Sequence, residues 1–420
     1  EYKHGDKTVK VDAYHFRFST PAQSNELISA FQRYYDLVFD RKSEIVESGI
    51  KQARVTVKED KTELQLGIDE SYSLEIPEDG SDIIITATNA FGAMHGLETL
   101  SQLIEFDYET LTYVIRNAPW QINDAPRFPH RGILMDTSRH YESLPSIKRL
   151  IDSMTYAKLN VLHWHLTDSQ SNPVQSEAYP KWWEGSYTPM ERYSIMDLEE
   201  IVEYARMRGI RVIPEMDVPG HEASWCKGYP EVCPSETCSE PLDPTSEKTW
   251  ELIHGVLDEW SGKEQGKGIF FDNYYHMGGD EVDTSCWKTT QHVVEWMQKN
   301  NFTDHETYKY FVKKVHEMVM ENQRNGIYWE EVWLNFGTAL DKSTIIETWM
   351  NKKTMKSVVE NGYRVIISDP IMYLDHLDQT WQNIYKDEPF EFTDVPAEQE
   401  LVLGGEACMW AETVDVSDLY

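Results

Sequence analysis

The sequence predicts an α/β chain in which a small α+β domain, residues 1–124, precedes a (β/α)₈ or TIM barrel, residues 125–420. Short strand patterns mixed with helical stretches fill the first part, which ends in a polar, proline-rich stretch at residues 123–129. From residue 131 onward, apolar β-prone runs alternate with helical patterns, as expected for βα units around a parallel sheet. Eight such runs are the number that closes a barrel.

The N-terminal domain has the patterns of an α+β fold and no group of residues that suggests catalysis. Apolar and β-branched residues predict strands at residues 54–57 and 81–88. Helical periodicity predicts helices at residues 26–35 and 91–104.

The barrel follows from the alternation of its elements along the chain. Strands are predicted at residues 131–138, 160–167, 210–218, 274–279, 327–333, 344–350, 364–369 and 401–409. Helices are predicted between them at residues 147–158, 197–208, 247–260, 306–324 and 352–361. The chain stops before the helix that should follow the eighth strand. We therefore expect this last barrel helix to be absent from the chain, and either supplied by a second polypeptide carrying the C-terminal part or lost.

Polar and aromatic residues follow every predicted barrel strand, at the end where barrel enzymes place their active-site loops. These residues are Asp136, Arg139, Asp168, Asp217, His221, Asp280, Glu281, Trp329, Glu330, Trp349, Tyr373, Asp375, Trp410 and Glu412. Any one of them is more often structural than catalytic, but core packing does not explain their recurrence at all eight strand ends. The sequence therefore predicts a site at this face of the barrel.

Residues 276–282, HMGGDEV, place two adjacent carboxylates behind a pair of glycines. Neighbouring side chains on a strand point in opposite directions, so Asp280 and Glu281 can share a site only if the strand ends there and its backbone turns. The glycines permit such a turn. Two carboxyl groups in a partly dry pocket have pKa values pushed apart, which suits one acid and one charged orienting group. A merely polar turn is the alternative interpretation.

Composition narrows the class of protein. Asp and Glu outnumber Lys and Arg by 72 to 39, a formal net charge of -33, so nucleic acid and anionic membrane surfaces are improbable partners. No apolar run is long enough to span a membrane. The mutual repulsion of so many carboxylates weakens as they become protonated, which suits an acidic compartment or simply a soluble secreted protein.

The cysteines indicate an oxidising compartment. Cys226, Cys233 and Cys238 lie in one loop and Cys286 follows the acidic motif, so the four could form two disulfides, while Cys408 would remain a free thiol. A zinc site is the competing interpretation, although no C-x-x-C spacing occurs. A glycosylation sequon begins at Asn301 and points the same way.

Five motifs in this chain resemble, in order, those of the β-N-acetylhexosaminidases of glycoside hydrolase family 20. They are FPHRGILMDTSRHY at 128–141, LHWHLTD at 162–168, PEMDVPGH at 214–221, HMGGDEV at 276–282 and GGEACMWAE at 404–412. The resemblance covers most of the chain from residue 128 onward. It also identifies residues 1–124 with the accessory α+β domain of the family.

The resemblance implies hydrolysis of a terminal, non-reducing β-linked N-acetylglucosamine or N-acetylgalactosamine with retention at the anomeric carbon. Glu281 would be the general acid and later the base that activates water. The 2-acetamido oxygen of the sugar would attack C1 and give an oxazolinium intermediate, so no enzyme nucleophile is needed. Asp280 would hold the acetamido N–H and offset the developing positive charge. No metal or other cofactor is expected.

The resemblance also implies roles for the other strand-end residues. Those expected to bind sugar hydroxyls are Arg139, Asp168, Asp375 and Glu412. Those expected to enclose the acetamido group or stack on the pyranose are Trp329, Trp349, Tyr373 and Trp410, with the Tyr373 hydroxyl on the acetamido carbonyl. His221, paired with Asp217, is expected to support Glu281. A homodimer in the lysosome or outside the cell is expected for the assembly.

The chain departs from the family pattern at residues 169–173, SQSNP, so the loop expected to contact the leaving group differs from that of the family. The negative charge of Asp375 predicts neutral substrates and disfavours sulfated or sialylated sugars. His163 and His165 face one side of a strand, a spacing compatible with zinc, but no third ligand accompanies them in the sequence. A chitobiose-directed enzyme and a catalytically inactive sugar-binding barrel are the remaining alternatives, and the presence of Glu281 argues against the second.

Overall fold

The computed structural model describes residues 1–46, 48–263, 268–376 and 378–418. The chain divides into two compact units. The first consists of Glu1–Pro129, Ile151–Lys158 and Ala205–Ile210, and the second of His130–Leu150, Leu159–Tyr204 and Arg211–Tyr420.

The N-terminal part carries one mixed sheet and two helices. Its strands are β1 (Tyr2–Val11), β2 (Arg17–Ser19), β3 (Gln52–Val57), β4 (Tyr72–Ile76), β5 (Ile83–Ala87), β6 (Ile104–Asp107) and β7 (Thr112–Asp124). Its helices are α1 (Asn25–Val38) and α2 (Ala90–Leu103). The strand order is β1-β7-β4-β5-β3-β2, with β6 paired to β7. The buried alternate residues of β3 to β5 pack against the apolar faces of both helices, and this confirms the predicted α+β fold.

The second unit contains a closed, eight-stranded parallel barrel. Its strands, in chain order, are β8 (His130–Asp136), β9 (Val161–Thr167), β10 (Arg211–Met216), β11 (Tyr274–His276), β12 (Asn325–Trp329), β13 (Ile345–Thr348), β14 (Arg364–Ile367) and β15 (Val402–Met409). Each strand pairs in parallel with the next, and β15 pairs with β8 to close the ring. The predicted barrel is therefore confirmed, and the carboxyl ends of all eight strands meet at one face.

Helices alternate with the barrel strands along the chain, as predicted. They are α3 (Leu144–Tyr156), α4 (Ile195–Arg206), α5 (Glu247–Ser261), α6 (Ser285–Thr289), α7 (Gln291–Asn300), α8 (Asp304–Glu321), α9 (Glu330–Phe336), α10 (Lys352–Glu360), α11 (Trp381–Lys386) and α12 (Pro396–Gln399). The start of α8 is fixed by a capping box, in which Thr303 and Glu306 each bond the backbone of the other. Among the described helices, none combines the length and the hydropathy needed to cross a bilayer.

The fifth predicted barrel strand, 327–333, is wrong beyond Trp329, because a helix begins at Glu330. The apolar residues that made the end of this run look extended are Val332 and Trp333, and both are buried, as is Phe336 just beyond the run. Their spacing of one and three residues places them on one side of a helix rather than on alternate faces of a strand. Two glutamates at the first turn of α9 also favour a helix start.

The cysteines pair as Cys226–Cys233 and Cys238–Cys286, and Cys408 is a buried free thiol. The second bond joins the loop after β10 to the segment after β11. Asn301 is exposed at the end of α7.

Candidate active site

The turn after β11 brings Asp280 and Glu281 to the carboxyl face of the barrel. Gly278 and Gly279 have φ values of 58° and 90°, in the left-handed region that favours glycine. A Cβ on Gly278 would lie 1.8 Å from Asp217 Oδ1, so no larger residue fits there. The Gly279 N–H donates to the same oxygen at 2.8 Å. The turn is thus held in place by the carboxylate of Asp217, at the end of the neighbouring strand β10.

Asp217 also binds His221, which lies close to both carboxylates of the acidic pair. His221 Nδ1 is 2.7 Å from Asp217 Oδ2 and 3.9 Å from Asp280 Oδ1, and its Nε2 is 3.7 Å from Glu281 Oε2. Burial disfavours a charged imidazole, but Asp217 outweighs it and raises the pKa of His221 to about 11. His221 is therefore an imidazolium beside the acidic pair.

The two adjacent carboxyl groups have different surroundings. The Asp280 side chain is 13% exposed and the Glu281 side chain is 60% exposed. Burial, together with the negative charges of Asp217 and Glu331, raises the pKa of Asp280 well above its usual range, against the pull of His221. Asp280 Oδ1 is shielded from solvent and accepts no hydrogen bond from the described residues. A buried acceptor without a donor costs about 1–3 kcal/mol, so a ligand that brings an N–H or O–H to this atom binds favourably.

Arg139, another residue of the cavity, is locked by three carboxylates. Its Nη1 donates to Asp136 Oδ2 at 3.1 Å, and its Nη2 lies 2.7 Å from Asp168 Oδ2 and 3.8 Å from Glu412 Oε1. The guanidinium also lies over the ring of Trp410, 5.3 Å from its centroid. Burial would lower the pKa of Arg139, but these carboxylates raise it further above its usual range. The result is a rigid, charged fork at the cavity wall.

Four aromatic residues wall the cavity. Trp349 and Tyr373 are stacked with an interplanar angle of 13° and centroids 6.2 Å apart, and Trp329 lies 5.9 Å from Trp410. Trp349 is further fixed by its Nε1–H, which donates to Glu331 Oε2 at 3.0 Å. These rings give the cavity an apolar lining between the charged groups.

The cavity has a volume of about 250 Å³ and unites most of the predicted residues. It is lined by Arg139, Asp217, His221, Asp280, Glu281, Trp329, Trp349, Tyr373, Asp375, His376, Trp410, Glu412 and Thr413. Asp375 Oδ1, like Asp280 Oδ1, is buried and accepts no hydrogen bond from the described residues.

Three strand-end residues lie outside this lining. Asp136 is buried, and its carboxylate accepts hydrogen bonds from Arg139 Nη1 and from the backbone N–H of Ala411. Asp168 is fully buried behind Arg139, where its carboxylate binds the guanidinium and His165. Glu330 is buried in the first turn of α9 and accepts the backbone N–H groups of Trp349 and Met350, both at 2.6 Å. All three therefore hold parts of the cavity wall in place.

Sequence reasoning missed three residues of the site. His376 and Thr413 border the cavity, and each directly follows a predicted site residue, which was the available signal. Glu331 was not recognised, because it lies in the incorrectly predicted end of the strand at residues 327–333. Its burial raises the pKa of its carboxyl to about 7, although the hydrogen bond from Trp349 opposes this.

The two histidines considered for zinc lie inside the barrel and are paired with carboxylates. His163 lies 3.0 Å from Glu215 and 2.6 Å from Glu406. His165 lies 2.5 Å from Glu215 and 2.9 Å from Asp168. His276 lies beside His163 and Glu215, so the structure supplies a third candidate ligand that the spacing in the sequence did not show.

Comparison with known proteins identifies the family. Residues 128–419 match the model of glycosyl hydrolase family 20, catalytic domain, and residues 1–103 match a model described as beta-acetyl hexosaminidase like. The chain is 43% identical to beta-hexosaminidase 1 of Arabidopsis thaliana, over 99% of this chain and 80% of that protein. It is 37% identical to beta-hexosaminidase subunit B2 of Dictyostelium discoideum, over 99% of this chain and 77% of that protein.

A solved structure agrees with these relatives. The crystal structure of a Flavobacterium johnsoniae chitobiase superposes with a TM-score of 0.85 at 28% identity, covering 99% of this chain. This chain spans 65% of the length of that one. The family matches and the relatives confirm the resemblance drawn from the five motifs: the chain belongs to glycosyl hydrolase family 20, the family of the β-hexosaminidases.

Proposed function

We propose that this chain, a β-hexosaminidase of family 20, uses the cavity to remove terminal β-linked N-acetylglucosamine or N-acetylgalactosamine from the non-reducing ends of glycans. The reaction retains the anomeric configuration, and the substrate's own 2-acetamido oxygen is the nucleophile. One observation carries the mechanism: the buried, unpartnered Oδ1 of Asp280 lies beside a carboxyl group, Glu281, that remains open to the cavity. Asp280 Oδ1 is suited to accept a substrate N–H, and the Glu281 carboxyl is suited to transfer a proton.

In the first step, Glu281 donates its proton to the glycosidic oxygen as the C1–O bond breaks and the acetamido oxygen bonds to C1. The product of this step is an oxazolinium ion, which carries the positive charge. Asp280, in its ionised form, accepts the acetamido N–H, holds the oxygen near C1 and stabilises the positive charge. The alcohol half of the substrate then leaves.

In the second step, water attacks C1 from the side that the leaving group vacated. The carboxylate of Glu281 takes a proton from this water, the C1–oxygen bond to the acetamido group breaks and the acetamide is restored. Two inversions give net retention. The enzyme returns to its starting protonation state, so no cofactor is consumed.

The remaining cavity residues bind the sugar. Trp329, Trp349 and Trp410 enclose the acetamido methyl and the pyranose face, and the Tyr373 hydroxyl donates to the acetamido carbonyl. The locked fork of Arg139 and the carboxylates of Asp375 and Glu412 suit sugar hydroxyls, which both donate and accept. Asp168 acts through Arg139, as its burial behind the guanidinium indicates. The imidazolium of His221 keeps Asp217 and the glycine turn in place beneath Glu281.

The charge of the cavity favours neutral substrates. The acidic residues of the lining, which are Asp217, Asp280, Glu281, Asp375 and Glu412, outnumber its cations, which are Arg139 and His221. A sulfate on the sugar would meet this negative field in a partly dry site. We expect slower turnover of a 6-sulfated aryl β-N-acetylglucosaminide than of the neutral one, and the reverse order would contradict the assignment.

The names of the relatives, the disulfides and the sequon bear on the assembly and the compartment. A relative from Dictyostelium is named as a subunit, which supports an oligomer, and we propose a homodimer. Light scattering on purified chain tests this, and a monomer at all concentrations would reject it. The two disulfides and the exposed sequon at Asn301 support a lysosomal or secreted location.

The direct test of the activity uses aryl β-N-acetylglucosaminide and aryl β-N-acetylgalactosaminide with the purified chain. Turnover of at least one substrate is expected, with competitive inhibition by a thiazoline that mimics the cyclised intermediate. Turnover that the thiazoline does not inhibit would reject the substrate-assisted mechanism, and no turnover of either substrate would reject the activity.

A further inference from the structure

Below the cavity, the barrel interior holds a cluster of buried titratable side chains that the proposed mechanism does not use. We call it the interior cluster, and it consists of His130, His163, His165, Glu215, His276, Glu347 and Glu406. We propose that Glu215 of this cluster is a positioning residue. Its single carboxylate fixes both Trp329, which we call the acetamido-pocket wall, and the sugar-binding guanidinium of Arg139. This inference rests on the proposed function of the cavity.

One oxygen of Glu215 holds the acetamido-pocket wall. Trp329 Nε1–H donates to Glu215 Oε1 at 2.9 Å, and both side chains are almost completely buried. An indole has a single polar hydrogen, so the direction of this bond sets the orientation of the ring. The ring borders the cavity. The carboxylate therefore determines which part of the indole meets the substrate.

The other oxygen of Glu215 reaches the guanidinium through two intermediates. Glu215 Oε2 lies 2.5 Å from His165 Nδ1, and His165 Nε2 lies 2.9 Å from Asp168 Oδ2. Asp168 Oδ2 in turn lies 2.7 Å from Arg139 Nη2. Glu215, His165 and Asp168 are fully buried, so solvent does not weaken this series of charge-assisted hydrogen bonds.

The series of hydrogen bonds from Glu215 to Arg139 requires the negative charge of Glu215 as well as the shape of its side chain. Burial alone would raise the pKa of Glu215, but His165 and two further imidazoles hold it well below its usual range. Burial would likewise lower the pKa of His165, but Glu215 and Asp168 raise it well above its usual range, so His165 donates from both nitrogens. An amide at position 215 would leave this buried imidazolium without its nearest counter-charge.

The interior cluster also supplies a matched control. Glu406 is as deeply buried as Glu215, and its pKa is lowered to about 2 by His163 and His130 against the effect of burial. Its hydrogen-bond partners in the described part of the chain are these two imidazoles, at 2.6 and 2.8 Å, and neither of them borders the cavity. Glu406→Gln therefore removes an equivalent buried charge that contacts neither Trp329 nor the guanidinium directly, since His163 stands between Glu406 and Glu215.

The experiment compares Glu215→Gln and Glu406→Gln with the wild type. For each, kcat and KM on aryl β-N-acetylglucosaminide, the Ki of the thiazoline and the melting temperature are measured. Both variants should melt earlier. Glu215→Gln should also lower kcat and raise the thiazoline Ki by roughly 100-fold, because a small displacement of positioning groups costs about that much. Glu406→Gln should leave kcat and Ki within about 3-fold of the wild type, since the positioning groups stay in place.

Equal changes of kcat and Ki in the two variants would show that Glu215 only stabilises the barrel, and an unchanged thiazoline Ki in Glu215→Gln would also overturn the proposal. If Glu215→Gln does not fold, Trp329→Phe removes the indole N–H from the other side of the same hydrogen bond. That variant must raise the thiazoline Ki more than it raises KM, and an equal rise in both would overturn the proposal. All these results are ratios of variant to wild type. A wild type without turnover would instead reject the proposed function, so the two failures can be told apart.

Discussion

At the scale of single residues, the division of labour between Asp280 and Glu281 follows from their surroundings. One carboxyl is enclosed by Asp217, His221 and Glu331, while the other projects from a left-handed turn into the cavity. Identical chemical groups at adjacent positions thereby differ in solvation and in partners. The first is suited to hold a substrate N–H, and the second to exchange protons with the leaving group and water.

Replacement of Glu281 tests the proton-transfer role. Glu281→Gln should lower kcat for aryl β-N-acetylglucosaminide by roughly 10²–10⁴-fold, because a general acid contributes about that much. Substrate and thiazoline should still bind. Glu317, which is also 60% exposed, provides the control, and Glu317→Gln should keep full activity. Near wild-type turnover of Glu281→Gln would be incompatible with the mechanism.

The raised pKa of Asp280 predicts a specific pH dependence. The carboxyl must be ionised to accept the acetamido N–H, and a raised pKa means that it binds a proton at higher pH than an ordinary aspartate. In the free enzyme, kcat/KM should therefore fall as the pH decreases through this pKa. The variant Asp280→Asn should be slower and should lack that acidic limb. An acidic limb of unchanged position in Asp280→Asn would assign it to another group.

Much of the site was predictable because its residues directly follow strands in short motifs. The spacing of Asp217 and His221 and the pair Asp280–Glu281 are local features of the sequence, and a parallel barrel brings such strand ends together. Glu215 and Glu331 were not recognised, because their importance lies in hydrogen bonds to Trp329 and Trp349. Those bonds join residues that are far apart in the chain or hidden by an incorrect strand, so no local pattern records them.

At the scale of elements, the turn after β11 depends on close packing against the end of β10. Gly278 meets Asp217 where a side chain would need space, and its φ value is one that other residues adopt with strain. The site thus depends on two adjacent strands that end at the same level and share one carboxylate.

Gly278→Ala separates this packing from the general cost of a left-handed residue. The left-handed conformation itself costs alanine about 1–2 kcal/mol. Gly80 has a φ of 80° and no atom within 4 Å of its potential Cβ, so Gly80→Ala should cost only that amount and keep full activity. Gly278→Ala should lose more stability and most of its kcat, because Asp217 and the turn must move apart. Denaturant unfolding and kcat measurements check this, and equal effects of both variants would contradict it.

The elements themselves were predicted well where the hydrophobic period was clear. The barrel strand β9 and helix α5 begin or end within one residue of their predicted bounds. The error at α9 arose because a short run with adjacent apolar residues fits either a strand or one turn of a helix. Only the packing of Val332 and Phe336 in the folded barrel decides between them.

At the scale of the whole molecule, the excess of carboxylates dominates the electrostatics. The net charge of -33 is opposed at neutral pH only by solvent and counter-ions, and it falls towards zero near the pI of about 4.7. The self-repulsion of the folded chain is therefore weaker in an acidic compartment than at neutral pH.

Self-repulsion of this size predicts a salt effect on stability. Sodium chloride should raise the melting temperature at neutral pH, because it screens repulsion between exposed carboxylates. Near the pI the same salt should have little effect, and this condition is the internal control. Scanning calorimetry at both pH values provides the measurement. A salt effect of equal size at both would show that net charge is not its cause.

The central claim is that the substrate supplies its own nucleophile. It is tested most directly by kcat/KM for aryl β-glucosaminides whose N-acyl group is acetyl, monofluoroacetyl, difluoroacetyl or trifluoroacetyl. Fluorine withdraws electrons from the acyl oxygen and changes little else. If that oxygen attacks C1, kcat/KM must fall steeply with each added fluorine. A flat series would contradict the mechanism and would require an enzyme nucleophile or a directly attacking water.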